Sequence, residues 1–311
     1  MKSYIGITGH FILDWKINSI MIACHRFSGR HSACNIYDKF QEMIAYFKIN
    51  NNISTIITDN AYNMVNAFSL PGFNTLQQES AQSDGEDDIE NYGDPIFELE
   101  DDALALFPSV HNSCFAHTLQ LVVKDGHNKA DIFSKVSSKV STIVSHVRRS
   151  TVDTDVLIGE NRLQSSVTTR WNSQLLMIKS ILKVNQDKLN ALNTAKLAAY
   201  ERNTLRDFVE TLSPFEEATD IAQIENRVSS SLVIQCIRGI RGQLSTLHMK
   251  YSNALIKELA ESVERRLTIY ESEDTYTTTS MLDPRFKPKW CKDGNERDHH
   301  KSELLSKMYK I

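Results

Sequence analysis

Strand-forming and helix-forming segments are segregated along this chain of 311 residues, and their order restricts the folds open to it. Up to about residue 117, runs of β-branched and apolar residues alternate with turn-forming residues and amphipathic stretches. Beyond that point, apolar residues recur at the spacing of α-helices. Strands that come first and helices that follow predict an α+β fold, in which a small mixed sheet precedes an all-α region.

The first part of the chain predicts a hairpin and a mixture of further strands and helices. Two β-branched runs separated by a turn at Asp14 are typical of a β-hairpin. One amphipathic helix is predicted by four apolar residues on a single helical face: Ile36, Phe40, Ile44 and Phe47. The predicted order is strand 3–13, strand 17–27, helix 35–48, strand 53–58, helix 60–68 and a short last strand at 109–115.

The second part of the chain contains three apolar stripes with helical spacing, which are typical of the core of a helical bundle. The stripes are Ile132, Val136, Val140, Ile143, Val144 and Val147; Leu205, Phe208, Leu212 and Phe215; and Leu232, Cys236, Ile240 and Leu247. Pro214 lies within the second stripe. Because proline has no backbone N–H and its ring crowds the preceding turn, we expect it to end or kink that helix.

The net charge of −4 is unevenly distributed. Between Asn74 and Leu106 there are 11 carboxylates and no Lys or Arg, so the rest of the chain has 35 basic against 28 acidic residues. Low hydrophobicity and charge of one sign predict a disordered loop at 74–102. A solvated surface loop explains this segment, and the alternative is a segment that mimics nucleic acid and screens the basic remainder.

Composition and the N-terminus indicate an intracellular protein. No run of about 18 apolar residues could span a membrane, and the first residues lack the apolar stretch of a secretory signal. The five cysteines are odd in number and widely separated, which fits reduced thiols better than a disulfide framework. They lie at positions 24, 34, 114, 236 and 291.

Asp59 is the first candidate functional residue, because it follows the β-branched run 53–58 and precedes the helix-like stretch 60–68. A carboxylate at the carboxyl end of a buried strand is well placed to hold a divalent cation. The alternative is that Asp59 caps the following helix by accepting hydrogen bonds from its first N–H groups.

Two further clusters carry candidate residues. Cys114 and His117 precede an apolar helix-like run, and they are two potential metal ligands where a closed zinc site needs four. Their alternative interpretation is a buried cysteine and a hydrogen-bonded histidine. Arg170 and Trp171 form the second cluster, where the tryptophan could equally pack in a helical core. The cysteine spacing includes no Cys-x₂-Cys pair typical of a zinc finger.

Four segments in one order resemble the hAT superfamily of DNA transposases and the host proteins derived from them, including the zinc-finger BED-domain group. The segments are TDNAYNMVNAF at 58–68, CFAHTLQLVV at 114–123, TRWNS at 169–173 and MLDPRFK at 281–287. The resemblance covers positions 4 to 287. It implies an RNase H-like core that is interrupted by a large helical insertion.

The resemblance also implies a chemistry and roles for the candidate residues. Family members use an Asp-Asp-Glu set that holds two Mg²⁺ or Mn²⁺ ions, about 4 Å apart, for strand cleavage and transfer. Asp59 matches the second acid, and Cys114 and His117 are expected beside the active site. Arg170 is expected to contact phosphate, and Trp171 is expected to stack on a base displaced from the duplex.

The other two acids are not found at the places that the resemblance gives them. The first belongs to a strand before the one that matches Tyr4 to Ile12, and the third to a block after MLDPRFK. We therefore expect an incomplete RNase H-like core at 1–125 with the acidic loop at 74–102. A helical insertion domain is expected at 126–280, and the start of the return to the core at 281–311. A BED finger and a dimerisation region are also expected to be lacking.

Together, these expectations describe a transposase-derived nuclear protein that is catalytically inactive as this chain stands. It is expected to retain some capacity to bind DNA, to carry no cofactor of its own, to have no membrane partner and not to oligomerise. Two alternatives remain open. One is a domesticated transcription-regulatory or protein-interaction module, and the other is a non-functional gene fragment.

Overall fold

The computed structural model describes residues 2–68, 74–75, 110–167, 171–224, 228–250 and 254–309. It is predominantly helical with small sheets, which confirms the α+β class and the helical region. The chain divides into two compact units. We call Met1–Thr118 with Glu225–Val228 the sheet unit, and Leu119–Ile224 with Ser229–Ile311 the helical unit.

The strands of the described residues all lie in the sheet unit. They are β1 Ser3–Leu13, β2 Lys16–Phe27, β3 Thr55–Thr58, β4 Asn74–Thr75 and β5 Val110–Ser113. The α-helices are α1 Ala33–Tyr46, α2 Tyr62–Ala67, α3 Phe115–Lys129, α4 Asp131–Val147, α5 Thr151–Val156, α6 Trp171–Lys183, α7 Gln186–Ala191, α8 Ala199–Ala222, α9 Val233–Lys250, α10 Ala254–Leu267, α11 Asp274–Leu282 and α12 Gly294–Met308.

The predicted hairpin is confirmed. Strands β1 and β2 are antiparallel, and Leu13 pairs with Lys16 across a two-residue turn. Asp14 and Trp15 occupy the turn with φ angles of 50° and 61°. Positive φ at both central residues is the type I′ geometry, whose twist matches that of the flanking strands.

The strands form two separate sheets, where the sequence predicted one mixed sheet. Strands β3, β5 and β4 make a parallel sheet in that order, with Thr58 opposite Ser113. In the described residues, β1 and β2 pair only with each other. The alternation of apolar residues predicts which segments are strands but not which edges meet, and this explains the error. The first two residues of the predicted acidic loop form β4, and 76–102 lies outside the described residues.

Helix α1 supplies much of the core of the sheet unit. Its N-terminus is capped by Ser32, and Ile36, Phe40 and Ile44 are buried with residues of the hairpin, as the predicted stripe requires. Phe47 was wrongly predicted to be buried, because its side chain is 45% exposed. The helix ends at Tyr46, and Lys48 adopts a φ of 56°, so the chain leaves the helical path at Phe47.

Helices α4 and α8 confirm their predicted stripes with two corrections. On α4, Ile132 is 68% exposed and Phe133 is buried in its place, stacked on Phe208 of α8 with ring centroids 3.4 Å apart. Of the two outcomes predicted for Pro214, the end of the helix does not occur, since α8 continues to Ala222. Phe215, Ala218 and Thr219 are buried after the proline, and this packing offsets the hydrogen bond that proline cannot make.

The stripe on α9 is confirmed at Ile240 and Leu247, and at its start it is shifted by one residue from Leu232 and Cys236 to Val233 and Ile237. The buried apolar residues are Val233, Ile234, Ile237, Ile240, Leu244 and Leu247. Cys236 is only half-buried, and Leu232 belongs to a 3₁₀ turn that precedes the helix. The five cysteines are free thiols. Among the described residues, no helix has the length and apolar character needed to cross a membrane.

Candidate functional site

The parallel strands β3 and β5 end side by side in the sheet unit and place two of the candidate residues at one edge. Asp59 follows β3, and Cys114 follows β5. The N–H of Cys114 donates to the carbonyl oxygen of Thr58 over 2.7 Å. The hydrogen bonds between β3 and β5 therefore continue to the residue that follows β5. His117 lies in the first turn of α3, which begins at Phe115. The carboxyl edge of a parallel sheet is where α/β proteins commonly bind ligands.

Asp59 is exposed and is held by a local turn. Its Oδ1 accepts a hydrogen bond from the N–H of Ala61 over 3.1 Å, which is an Asx turn. Helix α2 begins at Tyr62, and its N-cap is Ala61. The alternative in which Asp59 caps that helix was therefore wrong, because the carboxylate lies two residues before the cap. Within the described residues, its Oδ2 accepts no hydrogen bond and can meet a cation or water.

A hydrogen-bonded chain of polar groups fixes the residues around Asp59. The hydroxyl of Thr118 donates to the carbonyl oxygen of Cys114 and accepts from Nδ2 of Asn60, each over 3.1 Å. This assigns the orientation of the Asn60 amide. The Oδ1 atom of Asn60 is buried and has no hydrogen-bond partner in the part of the chain that the structure describes.

His111 is buried beneath the same edge, with 1% of its surface exposed. The hydroxyl of Thr58 donates to the carbonyl oxygen of Asp59 and lies 2.9 Å from Nε2 of His111. Nε2 therefore carries the proton, and Nδ1 is left as an acceptor without a partner among the described residues. The ring stacks on Phe68 with centroids 5.3 Å apart. Burial lowers the pKa of His111 to about 4, so this histidine is neutral at physiological pH.

In the sequence His111 lies near Cys114 and His117, but its spacing did not indicate a metal site, and sequence reasoning did not single out Asn60. The contact between Thr58 and His111 joins residues 53 positions apart, and it depends on the parallel register of β3 and β5. No local pattern in the sequence reports that register. The one available signal is a histidine within an otherwise strand-like segment.

The groups at this edge do not fit the two-metal site that the sequence resemblance implies. Two bound metal ions need several carboxylates, whereas Asp59 is joined there by the amide of Asn60, the hydroxyl of Thr118 and the thiol of Cys114. Cys114 and His117 are both half-buried. Within the described ranges, no group of three His, Cys, Asp or Glu residues is arranged to hold a metal ion.

The second cluster belongs to the helical unit. Arg170 lies outside the described residues, and Trp171 is the first residue of α6. The Trp171 side chain is half-buried. It is more exposed than a core residue and less exposed than a side chain that is free to stack on a base. The hydroxyl of Ser173 accepts from the N–H of Val167 over 2.7 Å and donates to its carbonyl oxygen over 2.9 Å, which ties the start of α6 to the preceding segment.

The MLDPRFK segment is held at the end of α11 by hydrogen bonds to Asp283. Asp283 accepts hydrogen bonds from Nη2 of Arg285 over 2.6 Å and from the hydroxyl of Ser231 over 2.8 Å. The guanidinium of Arg285 is the main reason that the pKa of Asp283 lies well below its usual range. The segment thereby joins the C-terminus of α11 to the turn that precedes α9.

Comparison with known proteins places these features in a family context. A family model described as the ZBED1 RNase-like domain matches residues 1–84. The human zinc finger BED domain-containing protein 4 is 19% identical over 210 residues, which cover 63% of this chain and 18% of that protein. The putative AC transposase of Zea mays is 27% identical over 191 residues, which cover 58% of this chain and 21% of the transposase.

The putative AC9 transposase of Zea mays gives a match of the same extent, with 27% identity over 191 residues. The matches span about a fifth of the length of these curated relatives. These matches agree with the resemblance that the four sequence segments indicate and with the α+β architecture. The chain is therefore related to the hAT transposases and to the BED-type zinc finger proteins derived from them.

Proposed function

We propose that this chain is a transposase-derived nuclear protein that binds DNA through its helical unit, without a metal cofactor, and does not cut the strands it binds. The observation that carries the proposal is the division of charge between the two units. The helical unit contains 28 Lys and Arg against 23 Asp and Glu, whereas the sheet unit contains 7 against 16. Lys and Arg side chains bind DNA by neutralising phosphates and releasing counterions.

The absence of cleavage is supported by the surroundings of Asp59. The neighbouring side chains with hydrogen bonds at the edge of the sheet are the amide of Asn60 and the hydroxyl of Thr118, and neither of them is a carboxylate. An in-line displacement assisted by two metals needs carboxylates that bridge and flank both ions. The two transposases of Zea mays are named as transposases, and this chain shares only part of their length.

The proposal predicts DNA binding that depends on salt but little on sequence. We expect the purified chain to bind a labelled 20-base-pair duplex at 50 mM NaCl, with the logarithm of affinity falling linearly against the logarithm of salt concentration. Each neutralised phosphate contributes a slope of about −0.9, so two to four contacts give a slope of roughly −2 to −4. Fluorescence anisotropy with two unrelated duplexes measures both properties. Absence of binding at 50 mM NaCl would contradict the proposal.

A protein-interaction module is the second candidate, and the hairpin favours it. Trp15 at the turn is 98% exposed, and beside it Ile12 is 68% exposed and Leu13 is 59% exposed. Large apolar side chains that are grouped at one end of a two-stranded ribbon are often sites of protein contact. The acidic segment between Asn74 and Leu106 adds a second feature typical of regulatory proteins.

A further inference from the structure

The helical unit contains a polar cleft of about 460 Å³ at the C-terminal end of α4. The cleft is lined by Ser141, Thr142, Ser145, His146, Arg149 and Ser150. These are four hydroxyl groups, one imidazole and one guanidinium, and no carboxylate is among them. We propose that this cleft is a phosphate-binding site that contacts the DNA backbone, an inference that rests on the DNA binding proposed above.

The cationic group of the cleft is available to a ligand. Arg149 is exposed, and it makes no ion pair or hydrogen bond through its side chain within the part of the chain described here. The neighbouring Arg148 is already engaged, since its Nη1 donates to the hydroxyl of Ser165 over 3.0 Å. Lys139, which belongs to the same helix, is neutralised by Glu201. Arg149 is thus the cation that the cleft offers.

A fully buried carboxylate holds one of the residues that line the cleft. Asp153 has no exposed surface, and its Oδ2 accepts from Nε2 of His146 over 2.8 Å. Its Oδ1 accepts from the backbone N–H of Asn193 over 2.9 Å and from the Asn193 side chain over 3.2 Å. The negative charge of Asp153 is therefore enclosed and shared among donors, and it orients the ring of His146 at the edge of the cleft.

Two of the hydroxyl groups lie on one face of α4, where they can donate hydrogen bonds to an oxyanion. Ser141 and Ser145 are one helical turn apart, and neither side chain makes a hydrogen bond within the described residues. The hydroxyl of Thr142 donates to the carbonyl oxygen of Ser138, and its lone pairs face no donor of the described chain. Arginine, serine and threonine side chains are among the groups with which proteins contact DNA phosphates.

The exposure of the lining favours a polymer over an enclosed metabolite. Ser145, His146 and Arg149 are all exposed to solvent, so the cleft leaves room for a chain of phosphodiesters to pass through it. An enclosed pocket for a free phosphate would bury these groups on several sides. The shared chemistry is a phosphate oxyanion, and the assigned source is the DNA backbone.

The test compares Arg149→Gln with a matched control, Arg297→Gln. Arg297 is an exposed arginine of the same unit, on α12, and it lines no part of the cleft. Affinity of the full chain for a 20-base-pair duplex is measured at 50, 100 and 200 mM NaCl. We expect Arg149→Gln to weaken binding about 3- to 10-fold at 50 mM and to reduce the salt slope by about 1, while Arg297→Gln changes both little.

A second variant, Ser145→Asp, places a carboxylate in the cleft and should weaken binding by at least as much as Arg149→Gln, because it repels phosphate. Circular dichroism confirms that each variant is folded. If the wild type binds DNA and the two cleft variants behave like Arg297→Gln, the cleft inference is overturned and the proposed function stands. If the wild type does not bind DNA, the proposed function fails and this inference fails with it.

Competition with inorganic phosphate distinguishes the DNA backbone from free phosphate as the ligand of the cleft. At equal ionic strength, we expect sodium phosphate to release no more DNA from the wild type than sodium chloride does. Extra release by phosphate that disappears in Arg149→Gln would assign the cleft to free phosphate and overturn the assignment to the DNA backbone.

Discussion

Lowering the pH from 7 to 4.5 should destabilise the sheet unit by about 2 kcal/mol through His111 alone. Burial lowers the pKa of His111 from its ordinary value of 6.5 to about 4. Between these two values the unfolded chain binds a proton that the folded chain does not, so stability is lost as the pH falls through this window. The full difference corresponds to at most about 3 kcal/mol, and water that penetrates the site reduces it.

The variant His111→Gln isolates this effect, because glutamine keeps a donor for Thr58 but does not titrate. Amide hydrogen exchange in β5, measured between pH 4.5 and 7 and corrected for intrinsic rates, reports the local stability of the wild type and the variant. We expect the opening free energy of β5 to fall with pH in the wild type and to change much less in His111→Gln. Equal losses in both proteins would show that other groups cause the acid sensitivity.

The substitution Gly126→Ala should destabilise the helical unit by about 1–3 kcal/mol, because α3 and α10 approach each other closely at this glycine. An added Cβ would lie 2.6 Å from Cδ2 and 2.7 Å from Cγ of Leu259, and 3.3 Å from Cδ1 of Leu255. Leu259 has no exposed surface, so it has no free space into which to move. The usual preference of helices for alanine over glycine offsets only about 1 kcal/mol of this cost.

Gly239→Ala is the matched control for that prediction. Gly239 also lies inside a helix, α9, and a Cβ there would meet nothing within 4 Å. We expect this variant to be stabilised by about 0.5–1 kcal/mol. Urea denaturation of both variants beside the wild type makes the comparison. Destabilisation of both by the same amount would mean that helix geometry, rather than the contact with Leu259, sets the cost.

The sequence predicted elements more reliably than it predicted their ends. The hairpin and the stripes of α1, α4 and α8 follow from local periodicity, which is a property of consecutive residues. Phe47 and Ile132 were misplaced because both lie where a helix ends or begins, and there the periodic pattern no longer describes the backbone. Pro214 does not end α8, because tertiary packing decides whether a helix continues through a proline.

Asp59 and Cys114 of the candidate site were predictable from the sequence, whereas Asn60, His111 and the contacts of the site were not. Asp59 and Cys114 meet at one edge because β3 and β5 are parallel and in register, a fact that no segment of the sequence contains by itself. The hydrogen bonds from Asn60 to Thr118 and between Thr58 and His111 depend on the same register. The roles of Asp59, Cys114, His117, Arg170 and Trp171 on DNA remain predictions.

Incubation of the purified chain with supercoiled plasmid at 50 mM salt, in the presence of Mg²⁺ or Mn²⁺, tests the central claim most directly. We expect the protein to retard the plasmid on a gel, yet to leave the fraction of nicked and linear DNA at background. The variant Asp59→Ala should give the same result, because one carboxylate without bridging partners does not assemble a two-metal site. Metal-dependent nicking by the wild type that is lost in Asp59→Ala would contradict the account and show that Asp59 works with acids outside the edge described here.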